Sequence, residues 1–192
     1  MTVARISPYV TTVFSVSVSL ATAIGIVNQY VVSIAGPSVG GMVADKMSSS
    51  AKFIKYCFLY LAAAAMLLIM LPGNSKFLAV AVILGWSIKL IQTCQKGAYW
   101  VPLSETKLPE IYSGTAVGLV SFLGFLPEAF IHTFWGLILD SFPDDKPTGY
   151  KIIFFGIVVF SLLGFVFCQL FLRDLKRRGL LDKRALAVPT AN

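Results

Sequence analysis

The sequence predicts an all-α membrane protein: five full transmembrane helices preceded by an incomplete one. Three observations carry this reading. Of the 192 residues, 57% are hydrophobic and only 13% are charged, where an ordinary soluble domain has about 25% charged residues. Mean hydropathy is +0.80. The apolar residues also fall into five separate stretches, each long enough for the roughly 20 residues that cross a bilayer.

Taken in order, Ile6 to Val16 (ISPYVTTVFSV) is apolar, broken by Ser and Thr, and too short to span alone. The first full span runs from about Ser19 to Val43. Asn28, Gln29 and Tyr30 lie near its middle, and Pro37 should kink it by clashing with the preceding turn. Asp45 and Lys46 close it, and Ser48, Ser49 and Ser50 mark a loop. The second span, about Phe53 to Leu71, ends at the turn signal Pro72-Gly73-Asn74. The third, about Phe77 to Trp100, contains Lys89, Gln92 and Gln95. A polar connector between Pro102 and Pro109 follows. The fourth span, Tyr112 to Asp140, has Gly114, Gly118 and Ser121 at helical spacing with Gly124 close by, a stripe that lets another helix approach backbone to backbone. Because it also holds Pro127, Glu128 and His132, the rest of the chain is expected to be organised around it. The loop Ser141 to Gly149 is acidic and Pro-rich. The fifth span covers about Tyr150 to Leu172. The implied division is residues 1–18 as an incomplete helix, 19–172 as the membrane domain and 173–192 as a basic tail.

Charge placement orients the chain. Eleven Lys and Arg residues lie in the tail, the first loop and the connector on one side. Four lie on the other, Arg5, Lys76, Lys146 and Lys151. The excess of basic residues marks the cytoplasmic side, so the tail is expected inside and the N-terminus outside. The expected location is a plasma (inner) membrane crossed several times. An outside N-terminus, no signal-peptide pattern in Met1 to Pro8 and half a helix in front suggest a chain that begins in mid-fold. The net charge of +7 does not point to nucleic acid, because the basic residues cluster at span ends and in the tail without interleaved aromatics. Cys57, Cys94 and Cys168 show no metal spacing and read as small apolar residues. No nucleophile–base pair, Gly-rich phosphate loop or ligand cluster is visible. Neither an enzyme nor a cofactor is expected.

Gly41-Met42-Val43-Ala44-Asp45-Lys46 resembles the loop signature of the major facilitator superfamily, G-x-x-x-D-(R/K), matching at Gly41, Asp45 and Lys46. The Gly-Arg-Arg/Lys portion that follows in the family is replaced by Ser48 to Ser50. The order of elements agrees along nearly the whole chain, with Ile6 to Val16 as the end of the seventh helix and the five spans as helices eight to twelve. Gly114 to Glu128, then Gly136 and Asp140, look like the eleventh helix of bacterial sugar, sugar-phosphate and organic-anion permeases. The resemblance implies a C-terminal half-bundle of a proton-coupled secondary transporter, with substrate between two halves. It assigns Gly41, Asp45 and Lys46 to a gating loop, and makes a missing N-terminal half a partner alongside membrane lipid and a small solute.

The candidate residues each admit two readings. Lys89 lies about 18 Å along its helix and so well inside the bilayer, sharing a face with Gln92 and Lys96 at i, i+3 and i+7. Buried charge in a membrane marks a substrate pathway or a structural pair. Lys89 is accordingly either an anion contact or a snorkelling or Glu128-paired lysine. Glu128, with His132 one turn on, is either a proton-coupling pair or a hydrated outer-mouth group. Asn28, Gln29 and Tyr30 point to different faces, so at most two can line one cavity. They bind a hydroxylated solute or hold helices together. The functional expectation is transport of a small polar or anionic solute. The alternative is a scaffold or subunit that packs on another membrane protein through Gly114 and Gly118.

Overall fold

The computed structural model describes residues 6–14, 16–47, 49–72, 75–99, 110–143 and 145–179; the side chains of Ile6, Ser7, Ser75, Glu110 and Glu128 lie outside the description. The described residues form six α-helices and one 3-10 turn, Ser75–Phe77, with no strand among them. The helices are α1 (Ile6–Phe14), α2 (Val18–Lys46), α3 (Ser50–Met70), α4 (Leu78–Ala98), α5 (Glu110–Asp140) and α6 (Lys146–Arg177). The last five are long and apolar enough to cross a membrane, so the expected all-α membrane fold is present. Every backbone group of such a span bonds within its own helix, which is why apolar stretches of this length become helices in lipid.

Two pairings hold the bundle. The first joins α2 to α4, running in the same direction, and it is made of small residues. Gly36 meets Thr93, Gly40 meets the backbone at Cys94, and Gly97 meets Pro37, each so closely that a Cβ would overlap the partner. Lipid tails are as apolar as leucine, so close backbone approach, more than hydrophobicity, joins these helices. The second pairing is α3 on α6, antiparallel, with Phe58 filling the space over Gly164 and Lys55 Nζ donating to Gln169 Oε1 at 3.1 Å. The short α1 is locked into the core. Tyr9 is 5% exposed and its ring packs edge-on against Tyr150 at 5.3 Å and Phe154 at 5.2 Å. Edge-to-face aromatic pairs of this kind add to the stabilisation from burial.

Several expectations change. The stretch Tyr112 to Asp140 does not organise the chain. Its most apolar part has no buried residue, and Trp135 is the buried side chain among the described residues of α5. Beside Gly114, Gly118 and Gly124 there is nothing for a Cβ to meet, and Ser121 turns its hydroxyl back to Val117 O at 2.7 Å. The close-packing stripe of the chain is instead Gly36 and Gly40. α2 runs through Pro37 to Lys46, three residues beyond the expected end at Val43. The tail expected from residue 173 begins as helix: α6 runs to Arg177 and stops at Gly179, whose φ of +66° is a left-handed turn that glycine tolerates.

At the other end of α6, Asp145 caps the helix. Its carboxylate accepts from Thr148 Oγ1 at 2.6 Å and from Thr148 N at 3.3 Å. These bonds, the hydroxyl's first, with a smaller contribution from Lys151, hold the carboxyl below its ordinary range. The lowered group supports the cap above the usual carboxylate range, and the support is lost as pH falls through the lowered value.

Two outcomes follow from the packing and the cap. Gly40→Leu forces α2 off α4 and lowers stability by about 1–3 kcal/mol or more, read as loss of protease resistance in membranes, whereas Gly118→Leu in the same chain leaves it unchanged. The Thr148 amide is protected from hydrogen exchange at neutral pH and loses protection, after correction for intrinsic rate, as the solution is acidified below the carboxylate range. Asp145→Ala removes that protection at every pH.

Candidate functional site

α4 has two faces with different tasks. One carries the glycine contact to α2. The other borders a cavity of about 530 Å³ between α3, α4, α5 and α6. The cavity exists because α5 leans on α6 alone to any extent, through Trp135 over Gly156 and Leu139 against Gly149, and so stands off from α4. Its size is that of a small-ligand site.

The polar groups on its wall come mostly from α4: Lys89, Gln92, Thr93, Gln95 and Lys96. Lys89, Gln92 and Lys96 are one face of this helix, as their spacing predicts. Lys89, half-buried, also donates its Nζ to Gln29 Oε1 of α2 at 3.3 Å, which gives the cation a neutral acceptor across the α2–α4 boundary. Gln95 is 4% exposed, and its Nε2 finds no acceptor among the described residues. A buried amide nitrogen without an acceptor is a loss of about 1–3 kcal/mol that needs a reason. The sequence singled out Lys89 and Gln92 as pathway residues but gave Gln95 no role; its place in the polar run of the third span was the available signal. Thr93 is committed to the helix contact, donating to carbonyls of its own turn and lying 3.3 Å from Val32 O.

The remaining walls are mostly apolar, with Ser121 of α5 and Ser161 of α6 as hydroxyls among them. Phe125, Pro127 and Ile131 of α5, Trp135 at its far end, and Ile157 and Phe160 of α6 line them. α5 and α3 both run antiparallel to α6, since Trp135 meets Gly156 and Leu139 meets Gly149, while Phe58 meets Gly164 and Lys55 meets Gln169. α4 follows α3 through a short turn and therefore runs opposite to α5. Lys96, Gln95 and Tyr99 thus sit at the end of the cavity where α4 finishes, and Trp135 sits toward the other.

The other expected site residues do not gather here. Asn28 is 1% exposed but is not part of the cavity wall; it is one of the buried residues of α2, as are Gly36 and Gly40. Its Oδ1 has no donor among the described residues. Tyr30 is exposed and away from the cavity. Of the trio, Gln29 alone touches the site, through Lys89. His132 is exposed on α5 and outside the cavity wall. The side chain of Glu128 lies outside the described residues. Gly41, Asp45 and Lys46 form no loop: all three stand on the last two turns of α2, with Asp45 and Lys46 exposed. Of the small residues of α5, Ser121 and Gly124 border the cavity, so part of the stripe faces this space and not a helix. Cys57 and Cys94 are buried and Cys168 half-buried, all free thiols, and they pack with Ala44, Phe53, Ile54 and Ala98 in a small core at one end of the bundle.

The chain is 34% identical over 174 residues to Inner membrane protein YihN of Escherichia coli (strain K12), an alignment covering 89% of this chain and 40% of that protein. It is 31% identical over 140 residues to Inner membrane protein YqcE of the same strain, covering 70% of this chain and 32% of that one. The chain therefore spans well under half the length of these curated relatives. No solved structure matches. No family model matches either, which corrects the resemblance to the major facilitator superfamily: the two relatives are named only as inner membrane proteins. The three residues that carried the resemblance, Gly41, Asp45 and Lys46, are the end of a helix, where a small residue and a terminal charge pair have ordinary uses.

Proposed function

We propose that this chain is a substrate-holding part of an inner-membrane transporter for a small organic anion. The observation that carries the reading is the cavity itself: four spans border an open-sided space of about 530 Å³, and the helix at its wall brings Lys89, Gln92, Gln95 and Lys96 to it. A cation at membrane depth is costly and usually marks a solute pathway or its partner charge. The inner membrane as location is supported by the names of the two relatives and by five helices of spanning length. On this reading Glu128 and His132 lie on the helix across the cavity and supply the proton coupling.

A second reading is supported by α5. Its Gly114 and Gly118 face open space, as they would if another membrane protein packed there. The chain would then be a subunit or scaffold, and the cavity a packing gap.

In the proposed orientation the ends carrying Lys46, Lys96 and the Arg173 to Arg178 cluster are cytoplasmic. A cysteine placed at Pro143 is labelled from outside by an impermeant thiol reagent, and one placed at Arg178 is not; the reverse pattern overturns the orientation. The transport reading is tested in proteoliposomes with a panel of labelled organic acids. Saturable uptake is expected in the parent chain and is abolished by Lys96→Met with membrane insertion intact, while Lys96→Arg keeps part of it. Absence of saturable uptake across the panel, with the protein inserted and folded, overturns transport by this chain and favours the subunit reading.

A further inference from the structure

The cavity is not evenly polar along its length, and that asymmetry specifies its ligand. We propose that it takes an amphiphilic monoanion, held by its carboxylate-type head at Lys96 and Gln95 and by an apolar body running toward Trp135. The inference rests on the reading of the cavity as a ligand site and narrows it to a substrate class.

Four observations support it. First, the donors are concentrated. Gln95 and Lys96 are adjacent in sequence at the end of the cavity where α4 finishes, with Gln92 one turn away. Second, Gln95 is buried, yet its Nε2 lacks an acceptor among the described residues. A rotation about its side chain turns that donor to an oxygen beside Lys96, and an ammonium and an amide N–H together suit an acceptor-only head, as a carboxylate or phosphate monoester is. Third, Lys89 is about 10 Å nearer the start of the helix than Lys96 by the helical rise and already donates to Gln29 at 3.3 Å. It is tied to α2, which leaves Lys96 as the head-group cation. Fourth, the rest of the lining cannot serve a polyhydroxylated body. Phe125, Pro127, Ile131, Trp135, Ile157 and Phe160 offer no side-chain acceptors, and the Ser121 hydroxyl is already donated to Val117 O, which leaves the Ser161 hydroxyl to serve a body that would carry several. Each sugar hydroxyl placed there would lose its water without replacement, a discrimination that grows quickly with their number. An apolar ring or chain gains from the same walls by leaving water.

An organic acid from solution and an anionic lipid share this chemistry, one with a ring or short chain and the other with acyl tails. The experiment has to tell these sources apart.

The full chain in nanodiscs of neutral phosphatidylcholine is titrated with phenylpropionate, with Trp135 fluorescence as the reporter in a Trp86→Phe, Trp100→Phe background. Phenylpropionate is expected to quench saturably. Phenylpropanol, benzylamine and gluconate are not, since each lacks either the anionic head or the apolar body. Lys96→Met and Gln95→Leu each weaken quenching by about tenfold or more, the size of a charge-assisted hydrogen bond, and Lys96→Arg restores most of it. Repeating the titration in discs containing phosphatidylglycerol separates the sources. Unchanged quenching assigns the site to the soluble acid, and loss of quenching that a higher phenylpropionate concentration restores, in the parent chain and in Lys96→Arg alike, assigns it to the lipid. Binding of gluconate or a hexose phosphate in preference to phenylpropionate, sensitive to Lys96→Met, overturns the proposed ligand class while the cavity remains a ligand site. No saturable binding of any probe by folded protein overturns both.

Discussion

The structure depends on one contact, the approach of α2 to α4 across Gly36, Gly40 and Gly97. Apolar side chains cannot draw two helices together in lipid, because leaving the other helix for a lipid tail changes little. What remains is packing density and the polar bonds that closeness permits. Removing three side chains at the crossing lets Thr93 sit against Gly36 with its hydroxyl 3.3 Å from Val32 O. The same closeness brings Gln29 Oε1 to 3.3 Å from Lys89 Nζ. The glycines therefore do more than join two helices: they bring an amide acceptor of α2 within reach of the Lys89 ammonium.

From that contact the functional geometry follows. With one face of α4 committed to α2, its polar residues at the other positions must face something else. A different arrangement of α5 could have covered them. Instead α5 bears on α6 through Trp135 and Leu139, where Gly156 and Gly149 make room, and leaves the polar face of α4 bordering a cavity. A bulky indole at one end and a lysine at the other give that cavity a direction. The distribution of donors is thus a consequence of which glycines found partners.

Much of the architecture was legible in the residues. Stretches of about 20 apolar residues separated by Ser, Pro, Gly and Asn leave few alternatives to a bundle of spans, because a bilayer admits no unsatisfied backbone. The shared face of Lys89, Gln92 and Lys96 was equally legible, since helical spacing alone sets it. The glycines were read less well. Gly114 and Gly118 carry the same spacing as Gly36 and Gly40, yet only the second pair meets a neighbour. A small-residue stripe declares that a helix can be approached closely, not that anything approaches. The polar trio at Asn28 to Tyr30 illustrates the limit further: consecutive residues must diverge, but which one turns to a neighbour depends on the helix's rotation.

The sequence by itself determined the number of spans, their ends to within a few residues, the concentration of basic charge at one set of ends and the polar face of α4. Each of these depends only on local quantities: length against membrane thickness, turn chemistry, and the 3.6-residue period. The tertiary structure alone decided that α2 and α4 form the tight seam, that α5 stands at the periphery, that Lys89 bonds Gln29 and that Gln95 lies buried at a cavity wall with an amide nitrogen lacking an acceptor among the described residues. Those depend on the rotation of each helix about its axis and on its choice of neighbour. Among helices that are apolar nearly all round, these are fixed by the fit of small residues to opposing surfaces, which no single stretch of sequence contains.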